Sequence, residues 1–212
     1  METLIRLAER LQAGDDAQVA EMTRQALAQN IPAADILNQG LIAGMNAVGE
    51  KFKNHELFLP DVLLAAKAMY AGMDLLKPQL IKDGIPSRGK VIIGSVQGDL
   101  HDIGKNLVAI MLKGAGYEIV DLRNDVAPDK FVTAAEQKAA RVIGLSALLT
   151  TTMPQMKAVV DLVHERGLTG RIKVIIGGAP VTADYARAIG ADAYGYDAAN
   201  AVDTVTRLFA EP

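Results

Sequence analysis

The apolar positions of this chain follow two different rhythms. Up to about residue 85 they recur at helical spacing. Leu4, Leu7, Ala8 and Leu11 form a first stripe, Gly14 and two aspartates interrupt it, and Val19, Met22 and Ala26 form a second. Leu37, Leu41, Met45, Val48 and Phe52 form a third after Pro32, a residue suited to the start of a helix. A fourth helix is predicted to open at Pro60, to carry Leu64, Ala68, Ala71 and Leu75, and to end at Pro78 and Gly84. Four helices with short connections predict a small bundle.

From Lys90 the pattern becomes one of short, nearly continuous β-branched runs: "VIIGSV", "YEIVDL", "RVIGLSAL" and "KVIIGG". Helical patterns lie between them, beginning near Asp102, Pro128, Thr152 and Val181. Continuous apolar runs alternating with helices predict a parallel sheet covered on both faces. A short strand at "ADAYG" and a last helix through "NAVDTVTRLF" complete an α/β fold with a five-stranded doubly wound sheet, flavodoxin-like in class. The expected division is a helical bundle over residues 1–88 and an α/β domain over 89–212, with "KDGIPSRGK" as the linker. No internal repeat or low-complexity tract is evident.

Composition narrows the function. The chain of 212 residues has a net charge of −3, and both halves are slightly acidic. No cluster of Lys or Arg offers a grip on a phosphate backbone, so nucleic-acid binding is not expected. No run of about eighteen apolar residues suggests a membrane span. The N-terminus lacks the build of a signal peptide, and a cytoplasmic protein is expected. Cysteine is absent, which removes disulfides, thiolate zinc sites and cysteine-held iron–sulfur clusters from this chain.

The chemistry concentrates in "SVQGDLHDIGKN", directly after the first strand. In open α/β sheets ligands bind beyond the carboxyl ends of the strands. "LSALLTTT" leaves the third strand and "GGAP" the fourth, so the three segments are expected on one rim. A P-loop does not fit, because five residues separate Gly98 from Gly104 and Asn106 stands where Ser or Thr would follow the lysine. No G-x-G-x-x-G is present for a dinucleotide either. A single loop histidine is most often a surface residue or part of a local hydrogen-bond network. Asp99, two residues before His101, changes the balance, since a metal-bound imidazole usually gives its other N–H to a carboxylate. No second histidine or carboxylate set completes a zinc site nearby. One protein ligand suits a metal held in a macrocycle.

Asp99-Leu100-His101-Asp102-Ile103-Gly104, followed by Ser146-Ala147-Leu148 and by Gly177-Gly178, resembles the D-x-H-x-x-G … S-x-L … G-G signature of cobalamin-binding domains. "GEKFKNHELFLPDVLLAAKAM" in the bundle looks like the cap of methyl-carrying corrinoid proteins and of methionine synthase. The resemblance covers nearly the whole chain. It implies a cobalamin or related corrinoid cofactor, with His101 displacing the cofactor's own base as lower axial cobalt ligand and Asp99 bonded to its other nitrogen. Thr152 stands by spacing where the family carries a serine that extends this relay. Asp102, Ile103 and Thr150 would also meet the cofactor, and Gly104 would let the chain pass close to it. Ser146 and Leu148 would line the channel for the displaced nucleotide tail, with Gly177 and Gly178 leaving it room. Phe58 and Leu59 would cover the other cobalt face.

The function so implied is a carrier that takes a methyl group from a substrate-specific methyltransferase. It would pass that group to a second methyltransferase acting on tetrahydrofolate or a thiol, with a reductive activator as a further partner. A substrate barrel alone takes roughly 250 residues, so a carrier subunit that is not catalytic by itself is expected. The alternative is a cobalamin-binding sensor or storage protein without methyl transfer.

Overall fold

The computed structural model describes residues 2–85 and 87–210, so Pro86, within the expected linker, lies outside the described residues. Two compact units divide the chain, one running to Ser87 and one from Arg88, with Gly114–Gly116 clustering with the first.

The first unit is all helical: α1 (Glu2–Gln12), α2 (Asp16–Ala28), α3 (Ala33–Asp35), a π-helical stretch (Ile36–Ile42), α4 (Ala43–Lys53) and α5 (Leu59–Lys82). Asp15 starts α2 by accepting the Gln18 amide at 3.0 Å, which satisfies one of the donors a helix start leaves over. Asp61 ties the entry of α5 by accepting the Phe58 amide at 2.8 Å. Leu7, Leu11, Ile36, Leu41, Val48, Val62, Met69 and Leu76 form the buried interior.

Three helical expectations need correction. The third stripe belongs to one rod made of α3, the π stretch and α4. The wider π turn rotates the face, so Ile36 is buried while Leu37 is only partly so. The fourth helix does not end at Pro78 but runs through it to Lys82. Proline there removes one amide donor from the ladder, and the buried Leu76 and Leu80 on either side hold the last turns. The core face of α5 is also displaced from the expected one. Ala68 is buried as expected, but Leu64 is exposed, and Val62, Ala65, Ala66, Met69, Gly72, Leu76 and Leu80 are buried as well. A helix apolar on nearly every side does not announce its inner face by periodicity.

In the second unit β1 (Lys90–Ser95), β2 (Glu118–Asp121), β3 (Val142–Ser146), β4 (Lys173–Gly177) and β5 (Ala193–Gly195) alternate with five helices. These are α6 (Ile103–Gly114), α7 (Pro128–Lys138), α8 (Pro154–Glu165), α9 (Ala183–Ile189) and α10 (Ala198–Ala210). All strand pairs are parallel, in the order β2-β1-β3-β4-β5. This is the expected doubly wound sheet. Val91, Ile92 and Ile93 of β1 are buried, as the continuous apolar run requires for a strand covered on both faces. Phe131 of α7 packs where a side chain at Gly94 would stand, 2.8 Å from its Cβ position.

Register positions the candidate site. Ser95 pairs with Ser146, Ser146 with Gly177, and Gly177 with Gly195. The carboxyl ends of four strands therefore form one level rim. Strand order reverses between β1 and β3, the switch point beside which an open α/β sheet forms its ligand crevice.

Candidate functional site

Asp99 lies in the loop between β1 and α6 and is fully buried. A buried carboxylate is tolerated only when its oxygens are satisfied, and here donors reach both of them. Oδ2 accepts from the backbone amides of Leu148 at 2.7 Å and Leu149 at 3.2 Å and from the Thr152 hydroxyl at 2.8 Å. Oδ1 accepts from the His101 amide at 3.1 Å and faces His101 Nδ1 at 2.8 Å. Burial alone would raise the pKa of Asp99. The Leu148 and His101 amides, the imidazole and the Thr152 hydroxyl outweigh it and hold the carboxyl well below the usual carboxylate range.

An ionised Asp99 only accepts, so Nδ1 of His101 carries the proton. In the neutral ring the lone pair is then on Nε2. The His101 side chain is 51 % exposed while its carboxylate partner is completely enclosed. The loop therefore places one basic nitrogen at the rim, oriented from behind by a fixed anion.

The other expected site residues fall on the same rim. Asp102 precedes α6 and its carbonyl accepts the Asn106 amide at 2.7 Å. Ile103 and Gly104 form the first turn of α6. Ser146 ends β3, and its carbonyl accepts the Val96 amide, joining the two loops. Leu148 enters the network through its backbone amide, not its side chain. Thr152 is buried and bonded to Asp99, whereas Thr150 is exposed and stands outside this network. Gly177 ends β4. At Gly178, with φ +132°, a Cβ would lie 1.8 Å from the Ala147 carbonyl oxygen. That glycine is required by the approach of two strand-end loops, whatever else it serves. Around Gly104 nothing lies within 4 Å of a Cβ position. Ser95, Asn124 and Asp125, which hold the backbone of the His101 loop, were not among the residues the sequence singled out.

A metal at this rim would need to bring most of its ligands with it. Among the described residues no group of three or more His, Asp or Glu could hold an ion. The loops that carry the imidazole and its carboxylate's donors also expose large apolar side chains: Leu100 and Ile103 at 70 and 75 % exposure, Leu148 and Leu149 at 43 and 41 %. Large apolar residues so placed mark a binding surface. One nitrogen donor amid exposed aliphatic side chains fits a broad, flat, metal-bearing ring, and the donor set fits a corrinoid on this chemistry.

The fold and the rim define an open α/β domain that offers one carboxylate-backed imidazole at its strand ends, preceded by a helical unit. Comparison with known proteins carries this further. Models of the B12 binding domain match residues 89–204 and, in a second form, residues 4–77. A corrinoid protein of Desulfitobacterium hafniense is 39 % identical over 198 residues, covering 92 % of each chain. Trimethylamine corrinoid protein 1 of Methanosarcina mazei is 43 % identical over 193 residues, 90 % of this chain and 89 % of its own. Among solved structures, a chain of the methanol:cobalamin methyltransferase complex of Methanosarcina barkeri superposes with a TM-score of 0.89 at 30 % identity, over 100 % of this chain and 81 % of its own. The chain belongs to the B12-binding family, and its cofactor is cobalamin or a related corrinoid.

Proposed function

We propose that this protein carries a methyl group between two methyltransferases, and that His101 is the lower axial ligand of the corrinoid it holds. The observation that carries the reading is the 2.8 Å contact of His101 Nδ1 with the fully buried Asp99, which leaves Nε2 as the ligating nitrogen. The corrinoid, when bound, supplies a cobalt centre that accepts a methyl group and gives it up again. The chain itself supplies orientation and access. Asp99 holds the Nδ1 proton and sets the ring's tautomer, and Thr152 and the Leu148 amide hold Asp99. Gly104 leaves the first turn of α6 clear for the ring, and Ser146, Gly177 and Gly178 border the space for the nucleotide tail. Asp102, Ile103 and Thr150 complete the surface.

Relatives named for trimethylamine and a structural neighbour from a methanol system support a methyltransferase partner. In this reading the choice of methyl donor lies in that partner and not in the carrier. The second partner of this reading is a methyltransferase acting on tetrahydrofolate or a thiol, with a reductive activator in attendance.

The test is the electron paramagnetic resonance spectrum of the cobalt(II) form, prepared with natural-abundance and with nitrogen-15 histidine. The axial nitrogen splitting should change with the label and vanish in His101→Ala. Corrinoid bound with its own base still on cobalt would sink the assignment of His101. A protein loaded through His101 that accepts no methyl group from any methyltransferase tried would leave the storage or sensing role instead.

A further inference from the structure

The His101 side chain is half exposed, so beyond its contact with Asp99 its position depends on the backbone that carries it. That backbone is held from outside at four consecutive residues. The Gly98 amide donates to Asp125 Oδ1 at 2.7 Å, and the Asp99 carbonyl accepts the Asp125 amide at 3.0 Å. The Leu100 carbonyl accepts from Asn124 Nδ2 at 3.0 Å, and the His101 carbonyl from Ser95 Oγ at 2.6 Å. None of these is a helix or strand bond. Gly98 and Leu100 are exposed residues whose backbone water could serve, yet protein side chains hold both.

We propose that Ser95, Asn124 and Asp125 are positioning residues that clamp the 98–101 backbone and so aim the imidazole; this rests on the reading of His101 as axial ligand. The clamp is itself strained and anchored. Arg123 and Asp125 adopt φ +73° and +54°, the left-handed region uncommon outside glycine, within three residues. Such strain persists where the surroundings fix it and gathers at functional sites. Here the surroundings do fix it. Ser95 donates its amide to the Arg123 carbonyl at 2.9 Å and accepts the Val126 amide at 3.1 Å. Asp121 accepts the Arg123 amide at 2.8 Å and holds the buried Lys105 ammonium of α6 at 2.7 and 2.8 Å. The loop after β2 is thereby tied to β1 on one side and to α6 on the other, the two elements that flank the histidine loop.

The test uses Ser95→Ala, Asp125→Gly, which removes the carboxylate without left-handed strain, and Asp125→Asn, which keeps Oδ1 and tolerates the conformation. Asn124→Ala is added so that a Ser95 variant that fails to fold does not decide the matter. Two quantities are measured: amide hydrogen exchange of the cofactor-free protein, and the fraction of bound cobalt(II) corrinoid showing histidine splitting. Asp125→Gly and Ser95→Ala should speed exchange at the Asp99 and His101 amides by roughly five- to tenfold. Exchange in β3 should be unchanged, the histidine-split fraction should fall with corrinoid still bound, and Asp125→Asn should restore both. If the wild type shows the splitting and every variant keeps its exchange rates and its split fraction, the clamp is overturned alone. A wild type with no histidine splitting overturns the axial-ligand reading and the purpose given to the clamp with it.

Discussion

Thr152 Oγ1 stands 2.8 Å from Asp99 Oδ2, the carboxylate oxygen that His101 does not use. It is also 2.9 Å from the Leu149 carbonyl, but one hydroxyl proton serves one acceptor, and the anion is the stronger. The threonine methyl has its own place, 3.4 Å from where a Cβ on Gly98 would lie. Thr152→Val keeps the shape and loses the donor, so it should cost about 1–3 kcal/mol in urea unfolding. Thr152→Ser keeps the donor and loses a methyl group, at a cost of about 1 kcal/mol. A valine variant as stable as wild type would show that the hydroxyl contributes nothing to holding Asp99.

Asp99→Asn is a harsher change than its size suggests. Every group facing the carboxylate is a donor. Whichever way the amide is turned, its NH2 meets either the His101 side or the Leu148, Leu149 and Thr152 side. Loss of about 2–4 kcal/mol of stability is expected, read from the urea midpoint. With NH2 toward His101, the neutral ring moves its proton to Nε2 and the lone pair leaves the rim. Nitrogen-15 spectra of the histidine ring in the cofactor-free protein report that change directly. An unaltered tautomer together with unaltered stability would contradict this account of Asp99.

Much of this architecture was legible because each signal had one physical meaning. Four continuous β-branched runs separated by helical patterns allow little but a doubly wound parallel sheet, and the ends of β1, β3 and β4 lie at one rim. Asp99, His101 and Thr152 come together because the loops leaving β1 and β3 meet at the point where strand order reverses. What stayed hidden has equally specific causes. The inner face of α5 was obscured by apolar residues on most sides, and the π turn at Ile36–Ile42 carries no pattern of its own. Leu148 is expected beside the cofactor's tail, but its hold on Asp99 is through its amide, which every residue but proline possesses, so that hold left no mark in the sequence. Asn124 and Asp125 sit after β2, a strand that carries no part of the motif; only tertiary structure brings them to Gly98 and Leu100. Their one sequence signal is the Asn-Asp pair itself, residues that tolerate left-handed backbone.

Lys105 and Asp121 give the protein a dependence on acid. Burial raises the pKa of Asp121, but hydrogen bonds from Lys105 and the Arg123 amide, with the charges of Lys105 and Arg123, prevail and hold it below its ordinary value. A carboxyl depressed in the folded state adds stability above its unfolded pKa of about 3.9 and loses it as pH falls through the folded value. The stability gap between wild type and Asp121→Asn should stay constant from about pH 7 to 5 and close below about pH 4. Urea unfolding at stepped pH measures it. A gap that widens in acid would reverse the sign of this argument.

Two glycines of the same motif should behave in opposite ways. At Gly178 the backbone has φ +132° and a Cβ would lie 1.8 Å from the Ala147 oxygen. Alanine there must displace the loop that supplies the Leu148 amide to Asp99, because the obstacle is main chain and cannot rotate away. Gly178→Ala is expected to cost well over about 3 kcal/mol, a large effect with a named cause. Gly104 has no atom within 4 Å of its Cβ position and lies in the first turn of α6. Gly104→Ala should therefore leave the cofactor-free protein unharmed, or raise its stability by up to about 1 kcal/mol through helix propensity. The cost should appear only on loading, as weaker corrinoid binding measured by titration against the absorbance of the bound form. If Gly104→Ala binds corrinoid as tightly as wild type, the first turn of α6 does not approach the ring, and Gly104 serves only the backbone. If it binds less tightly while melting no lower, the glycine is kept clear for the ligand at the expense of the helix.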